Sequence, residues 1–198
     1  MQLSKKSKKR YLVIFGLLFL LLLVVYFVPS VLGGYALTEH SAIRYTFPTK
    51  DGEVVFEEEF EDKKLVIWDT GKVNYVKVID KPFGIFKRLT DFNAISAQTV
   101  DEKMKITWSG TPIENELYHD VIFAAEVLDK GIEKVIVSNE QYDKKNTPLS
   151  IVKKHSTVFI EMNVKDGFAA HYSKLPNGDV GSFSFRGLNS DGKIVSFY

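Results

Sequence analysis

Hydrophobic and polar residues alternate with a period of two over most of the chain beyond residue 40, the pattern of half-buried strands. Ile43, Tyr45 and Phe47 face one way, and Arg44 and Thr46 the other. Val54, Phe56 and Phe60 form one face of a returning strand, with Val55, Glu57 and Glu59 on its other face. Leu65-Val66-Ile67-Trp68 is continuously apolar, as in a strand covered on both sides. Strands follow over Tyr75–Ile79, over Met104–Trp108 and over Thr157–Val164. Pro48–Gly52 and Asp69–Lys72 read as turns, each with the glycine that a tight reversal accepts. The C-terminal part reads as a meander of strands near 168–175, 181–187 and 193–198, joined at Pro176–Asp179 and Asn189–Gly192.

One segment carries a helical signature. Thr111-Pro112-Ile113-Glu114 fits a capping box, with proline at the first helical position. Ile113, Leu117, Val121, Ala125 and Leu128 repeat at helical spacing, and Lys130-Gly131 supplies a basic last turn and a stop. Residues 82–102 suit either period, since Phe83, Phe86, Leu89 and Phe92 are three apart but Gly84 disfavours a helix. Residues 139–150 read as the loosest loop. The expected fold class is α+β: a single N-terminal transmembrane helix, then a mostly antiparallel sheet domain with at least one packed helix.

The N-terminal stretch sets the expected placement. Residues 11–37 carry no charge, and Lys5, Lys6, Lys8, Lys9 and Arg10 precede them. A helix over 11–32 is 22 residues long, roughly 33 Å at about 1.5 Å per residue, against a hydrocarbon core of about 30 Å. The five cations are the topology-determining residues of this reading. By the positive-inside bias they hold the N-terminus in the cytoplasm and send the remainder across. The apolar core from Leu12 to Val28 is 17 residues, longer than the core of a cleaved signal peptide, so an uncleaved signal anchor is expected over cleavage near Ala36. The organisation is thus a basic tail (1–10), a transmembrane helix (11–32), a juxtamembrane linker (33–40) and an extracytoplasmic domain (41–198). The localisation is the cell membrane, in a single pass.

Composition narrows the function classes. The chain holds 26 basic and 25 acidic side chains. Without the five N-terminal cations the remainder is mildly acidic, which argues against nucleic acid as a partner. There is no cysteine, hence no disulfide, thiolate metal site or lipoprotein anchor. That absence, with 22 lysines against four arginines, leans toward a bacterial export product.

Candidate chemistry is sparse. Glu57, Glu58, Glu59, Glu61 and Asp62 read as a charged edge strand and not a calcium loop, because carboxylates on a strand point alternately to opposite faces. His40, His119, His155 and His171 have no metal-ligand spacing. Ser109-Gly110-Thr111 lies between a strand and the expected helix but lacks the nucleophile-elbow pattern. Trp68 and Trp108 read as core residues more readily than as sugar platforms. No catalytic, cofactor-binding or metal residue is assigned. The leading expectation is a non-enzymatic binding, accessory or regulatory domain, with the lipid bilayer and an envelope or membrane protein as partners. A membrane-anchored hydrolase acting at the envelope, or an immunity or inhibitor protein, are the alternatives.

Overall fold

The computed structural model describes residues 5–33, 35–44, 51–81, 86–95, 98–140 and 147–198, with N-terminal side chains described for Arg10–Val24 and Tyr26. Among these residues, half of the chain is strand and about one fifth is helix. Helix α1 spans Lys5–Gly33, α2 spans Glu39–Arg44 and α3 spans Leu149–His155. The strands are β1 (Tyr35–Ala36), β2 (Glu53–Phe60), β3 (Lys63–Asp69), β4 (Asn74–Asp80), β5 (Lys87–Ala94), β6 (Gln98–Val100) and β7 (Met104–Pro112). They continue as β8 (Tyr118–Val127), β9 (Lys134–Ser138), β10 (Phe159–Asn163), β11 (Phe168–Pro176), β12 (Ser184–Leu188) and β13 (Ile194–Phe197).

These strands form three antiparallel sheets, with orders β1-β5-β4-β3-β2, β11-β8-β7-β6 and β10-β9-β12-β13. The second sheet is the middle layer. Along β8, Ile122 and Ala124 pack against Phe56, Leu65, Ile67, Val76 and Val78 of the first sheet. Val121, Phe123 and Ala125 point the other way, into a core with Val135, Val137, Met162 and Phe185 of the third. A strand buried on both faces loses the alternation of a half-buried one and becomes a continuous apolar run. The outer face of the first sheet carries a third cluster, Val66, Trp68 and Ile79, covered by Ile43 of α2.

The expected α+β class is corrected by this architecture, which is mostly antiparallel β. The segment read as a capped helix is the β7–β8 hairpin. Thr111 pairs with Asp120 and Pro112 with His119 across it. The reversal closes with Ile113 N–H donating to the Tyr118 carbonyl at 3.0 Å, and Asn115 takes a φ of 62°. Val121-Ile122-Phe123-Ala124-Ala125 satisfies a helical stripe and a doubly buried strand equally well, and pairing with β7 and β11 decides between them.

The expected transmembrane signal anchor is corrected too. Among the described residues no helix is long and apolar enough to cross a membrane.

Smaller differences have local causes. Ile43 belongs to helix α2, whose first turn is capped by Thr38: Ser41 N–H donates to Thr38 Oγ1 at 3.1 Å. Tyr45 and Phe47 lie outside the described residues. The ambiguous 82–102 segment contains β5, while Phe83 and Gly84 are not described. The loop read at 139–150 gives way to α3 at Leu149, its middle not being described. The C-terminal strands occur near their expected places, but β11 belongs to the middle sheet and β12–β13 to the third. Acidic β2 is an edge strand, as read, with Glu57 and Glu59 paired to Lys64 at 2.9 and 3.7 Å.

Lys77 is the polar exception under α2. It is fully buried on β4, donates to the Ile43 carbonyl at 2.9 Å and lies 5.5 Å from the Trp68 ring centre. A cation below a helix C-terminus meets favourable carbonyl dipoles. Burial nevertheless pushes its pKa down from 10.5 to about 8. Below pH 8 the folded and unfolded lysine both hold the proton. Between pH 8 and 10.5 the unfolded lysine keeps it and the folded one releases it, so this site adds stability as pH rises. The stability difference between the native chain and Lys77→Met is expected to move in favour of lysine by on the order of 2 kcal/mol across that window, measured by urea unfolding at both ends.

Candidate functional site

The rows of paired residues give the stack two poles. At one, Tyr35 pairs with Arg88, Arg88 with Asp80 and Asp80 with Lys63, and Lys63 bridges to Asp120 of the middle sheet at 3.2 Å. Helix α1 ends next to this pole, immediately before β1. At the other pole the β3–β4 turn faces the Lys105 and Glu126 end of the middle sheet.

A cleft of about 280 Å³ opens at that second pole. One wall is the turn after Asp69. Gly71 takes a φ of 75°, and its N–H donates to Asp69 Oδ1 at 2.6 Å. Thr70 closes the turn by donating from Oγ1 to the Val73 carbonyl at 2.8 Å. The other wall is Lys105 and Glu126, cross-strand partners on β7 and β8. Buried Ile95 lines the cleft between them.

Glu126 joins the two walls. It accepts from Asn74 Nδ2 at 2.9 Å and from Lys105 Nζ at 3.1 Å. Asn74 is thereby fixed, and its buried Oδ1 has no hydrogen-bond partner among the described residues. Lys72 stands exposed on the rim. The cleft therefore offers an orphan acceptor, a rim cation and the Asp69 carboxylate. It can recognise a small polar group or a charged side chain by hydrogen bonds and charge.

The residues singled out from the sequence do not converge there. Of Lys5, Lys6, Lys8, Lys9 and Arg10, all lie in α1; Arg10 is exposed, and the lysine side chains are outside the described residues. Ser109 and Thr111 lie on β7 and donate to Asp91 Oδ2 at 3.4 and 3.0 Å. The nearest histidine along the hairpin, His119, pairs instead with Asn177 Oδ1 at 3.0 Å. His119 thus lies on a strand and not on a helical face. His171 packs edge-on against Phe60, and its pKa is lowered by burial. Burial also raises the Tyr172 hydroxyl well above its ordinary value, aided by its hydrogen bond to Asp120. His40 and His155 are exposed, and no group of three or more possible metal ligands occurs among the described residues. Trp68 is buried beneath α2, and Trp108 packs edge-on on Phe183 with ring centres 5.0 Å apart.

Sequence reasoning identified the Asp69–Lys72 turn but not the cleft behind it. Asn74, Lys105 and Glu126 are ordinary polar positions of alternating strands, brought together only by stacking two sheets. No known family model, curated protein or solved structure matches the chain.

Proposed function

We propose that the protein is a membrane-tethered binding module: α1 buries its apolar surface in lipid, and the β domain presents the Asn74–Glu126 cleft away from the membrane. The observation that carries this reading is the polarity of the molecule, with an uncovered apolar helix at one pole and a preformed polar cleft at the other. From Tyr11 to Val24 every apolar side chain of α1 is exposed, reaching 77 % at Leu12. A helix that is apolar on all faces needs an apolar surrounding. Its basic start suits anionic lipid headgroups. The cleft, with its groups already positioned by mutual hydrogen bonds, requires little ordering on binding.

Membrane fractionation of cells expressing the full chain tests the tether. The native chain is expected in the membrane pellet of lysed cells, and Leu17→Asp with Leu21→Asp is expected to leave it. Native chain recovered in the soluble fraction would refute the tether. A photo-crosslinking residue at Lys72 tests the cleft: it should yield a discrete adduct that the same residue at exposed Lys154 does not, and that Glu126→Lys removes. Equal labelling from both positions would leave the cleft without a binding role.

A further inference from the structure

The β7–β8 hairpin ends in a tip whose Leu117 and Tyr118 the core does not use. Leu117 is 78 % exposed, as open as Leu12 in α1, and Tyr118 beside it is 41 % exposed. Pro112 and Pro176 flank it, both exposed. The tip is not loose. The Leu117 carbonyl accepts from Asn177 N–H at 3.0 Å, and Glu116 N–H donates to the Ile113 carbonyl at 3.1 Å. Lys174 neutralises Glu116 and lies 5.1 Å from the Tyr118 ring centre. A leucine held outward by backbone bonds has its exposure built in.

Its position in the fold indicates what covers it. Asn93 Nδ2 donates to the Trp108 carbonyl at 3.1 Å, and Thr111 donates to Asp91 at 3.0 Å. Strands β5 and β7 therefore run in opposite directions where they touch, and going up β7 toward the tip means going back along β5 toward Arg88. Arg88 is the partner of Tyr35, directly after α1. The row Tyr35–Arg88–Asp80–Lys63–Asp120 reaches the same place from the other side, since Asp120 is two residues from Tyr118. The hairpin tip and the end of α1 thus share one pole. Tyr35 and Tyr118 both lie there, with Arg88 against the Tyr35 ring at 5.3 Å. Tyrosines beside cations suit the headgroup level of a bilayer.

We infer that the Ile113–Tyr118 tip is a second lipid contact, dipping Leu117 into the membrane that holds α1 and so fixing the tilt of the domain. This rests on the tether reading above. The contact is a lipid surface and not a protein groove, because the tip shares its pole with the end of the apolar helix and Lys174 neutralises Glu116, while exposed Glu114 stays at the headgroup level.

The chain has no cysteine, so single labelling sites can be introduced. An environment-sensitive fluorophore is attached to full-length Glu114→Cys, beside the tip, in phosphatidylcholine vesicles containing a headgroup-level nitroxide quencher. The same label is placed at Leu18→Cys in α1 and at Lys72→Cys at the far pole. Expected is quenching at 114 several-fold greater than at 72, falling to the level of 72 when Leu117→Asp is added. Quenching at 18 with none above the level of 72 at 114, or quenching at 114 that Leu117→Asp leaves unchanged, overturns the inference while the tether stands. No quenching at 18 overturns both.

Discussion

Arg186→Met is expected to lower folding stability by about 3–5 kcal/mol, and adding Glu140→Met is expected to recover most of that loss. Arg186 lies on β12 between Phe185 and Gly187. The alternation that sends Phe185 into the core sends Arg186 to the outer face of the third sheet, yet it has no exposure at all. Its guanidinium donates to Ser138 Oγ at 2.8 Å, pairs with Glu140 and lies 4.8 Å from the Phe197 ring centre. Glu140, whose side chain is equally buried, also accepts from Ser156 Oγ at 3.4 Å. Removing the cation alone leaves a buried carboxylate whose partner among the described residues is the Ser156 hydroxyl, whereas removing both leaves an apolar gap filled by flexible thioethers. Urea unfolding in a mild detergent, followed by tryptophan fluorescence, measures both variants. A single-variant loss below about 1 kcal/mol would mean that water reaches the pair, and a double variant as unstable as the single would assign the loss to packing.

Several strands with one wet face were legible, though β5, which also alternates in burial, stayed ambiguous. Burial alternates along β2 and β7, and the turns at Asp69–Lys72 and Asn189–Gly192 stand where their residues place them. Leu65–Trp68 was legible even as a doubly covered strand, because its run is short and bounded by charges. Val121–Ala125 has the same chemistry and was misread. Its neighbours Ile113, Leu117 and Leu128 complete a helical stripe, and Thr111-Pro112 imitates a cap. Only pairing partners remote in sequence resolve such a run. Buried Lys77 and Arg186 were invisible for a related reason: each occupies the polar phase of a strand, where solvent is the ordinary neighbour. The cleft was illegible because no local pattern encodes the meeting of Asn74 with Glu126, 52 residues away.

The β7–β8 hairpin itself yields the sharpest contrast. Phe123→Ala is expected to cost about 3–5 kcal/mol, and Leu117→Ala no more than about 0.5 kcal/mol. On a helix from Thr111 to Lys130 the order reverses, since Leu117 shares the apolar stripe of Val121 and Ala125 while Phe123 lies off it. In the hairpin Phe123 is at the centre of the middle sheet and wholly buried. Its ring meets Phe183 edge-on at 4.8 Å and Phe185 at 6.3 Å, so it locks the middle sheet to the third. Truncation leaves a cavity between two sheets whose backbones are each held by neighbours on both sides, which limits collapse into it. Phe123→Leu should cost much less, because most of the volume is kept. Leu117 has its side chain in solvent or lipid, and its one fixed bond is through the backbone carbonyl, which alanine retains. Equilibrium unfolding of the three variants under one set of conditions measures the order. A larger loss at 117 than at 123 would return the segment to a helix and remove the middle layer of the fold.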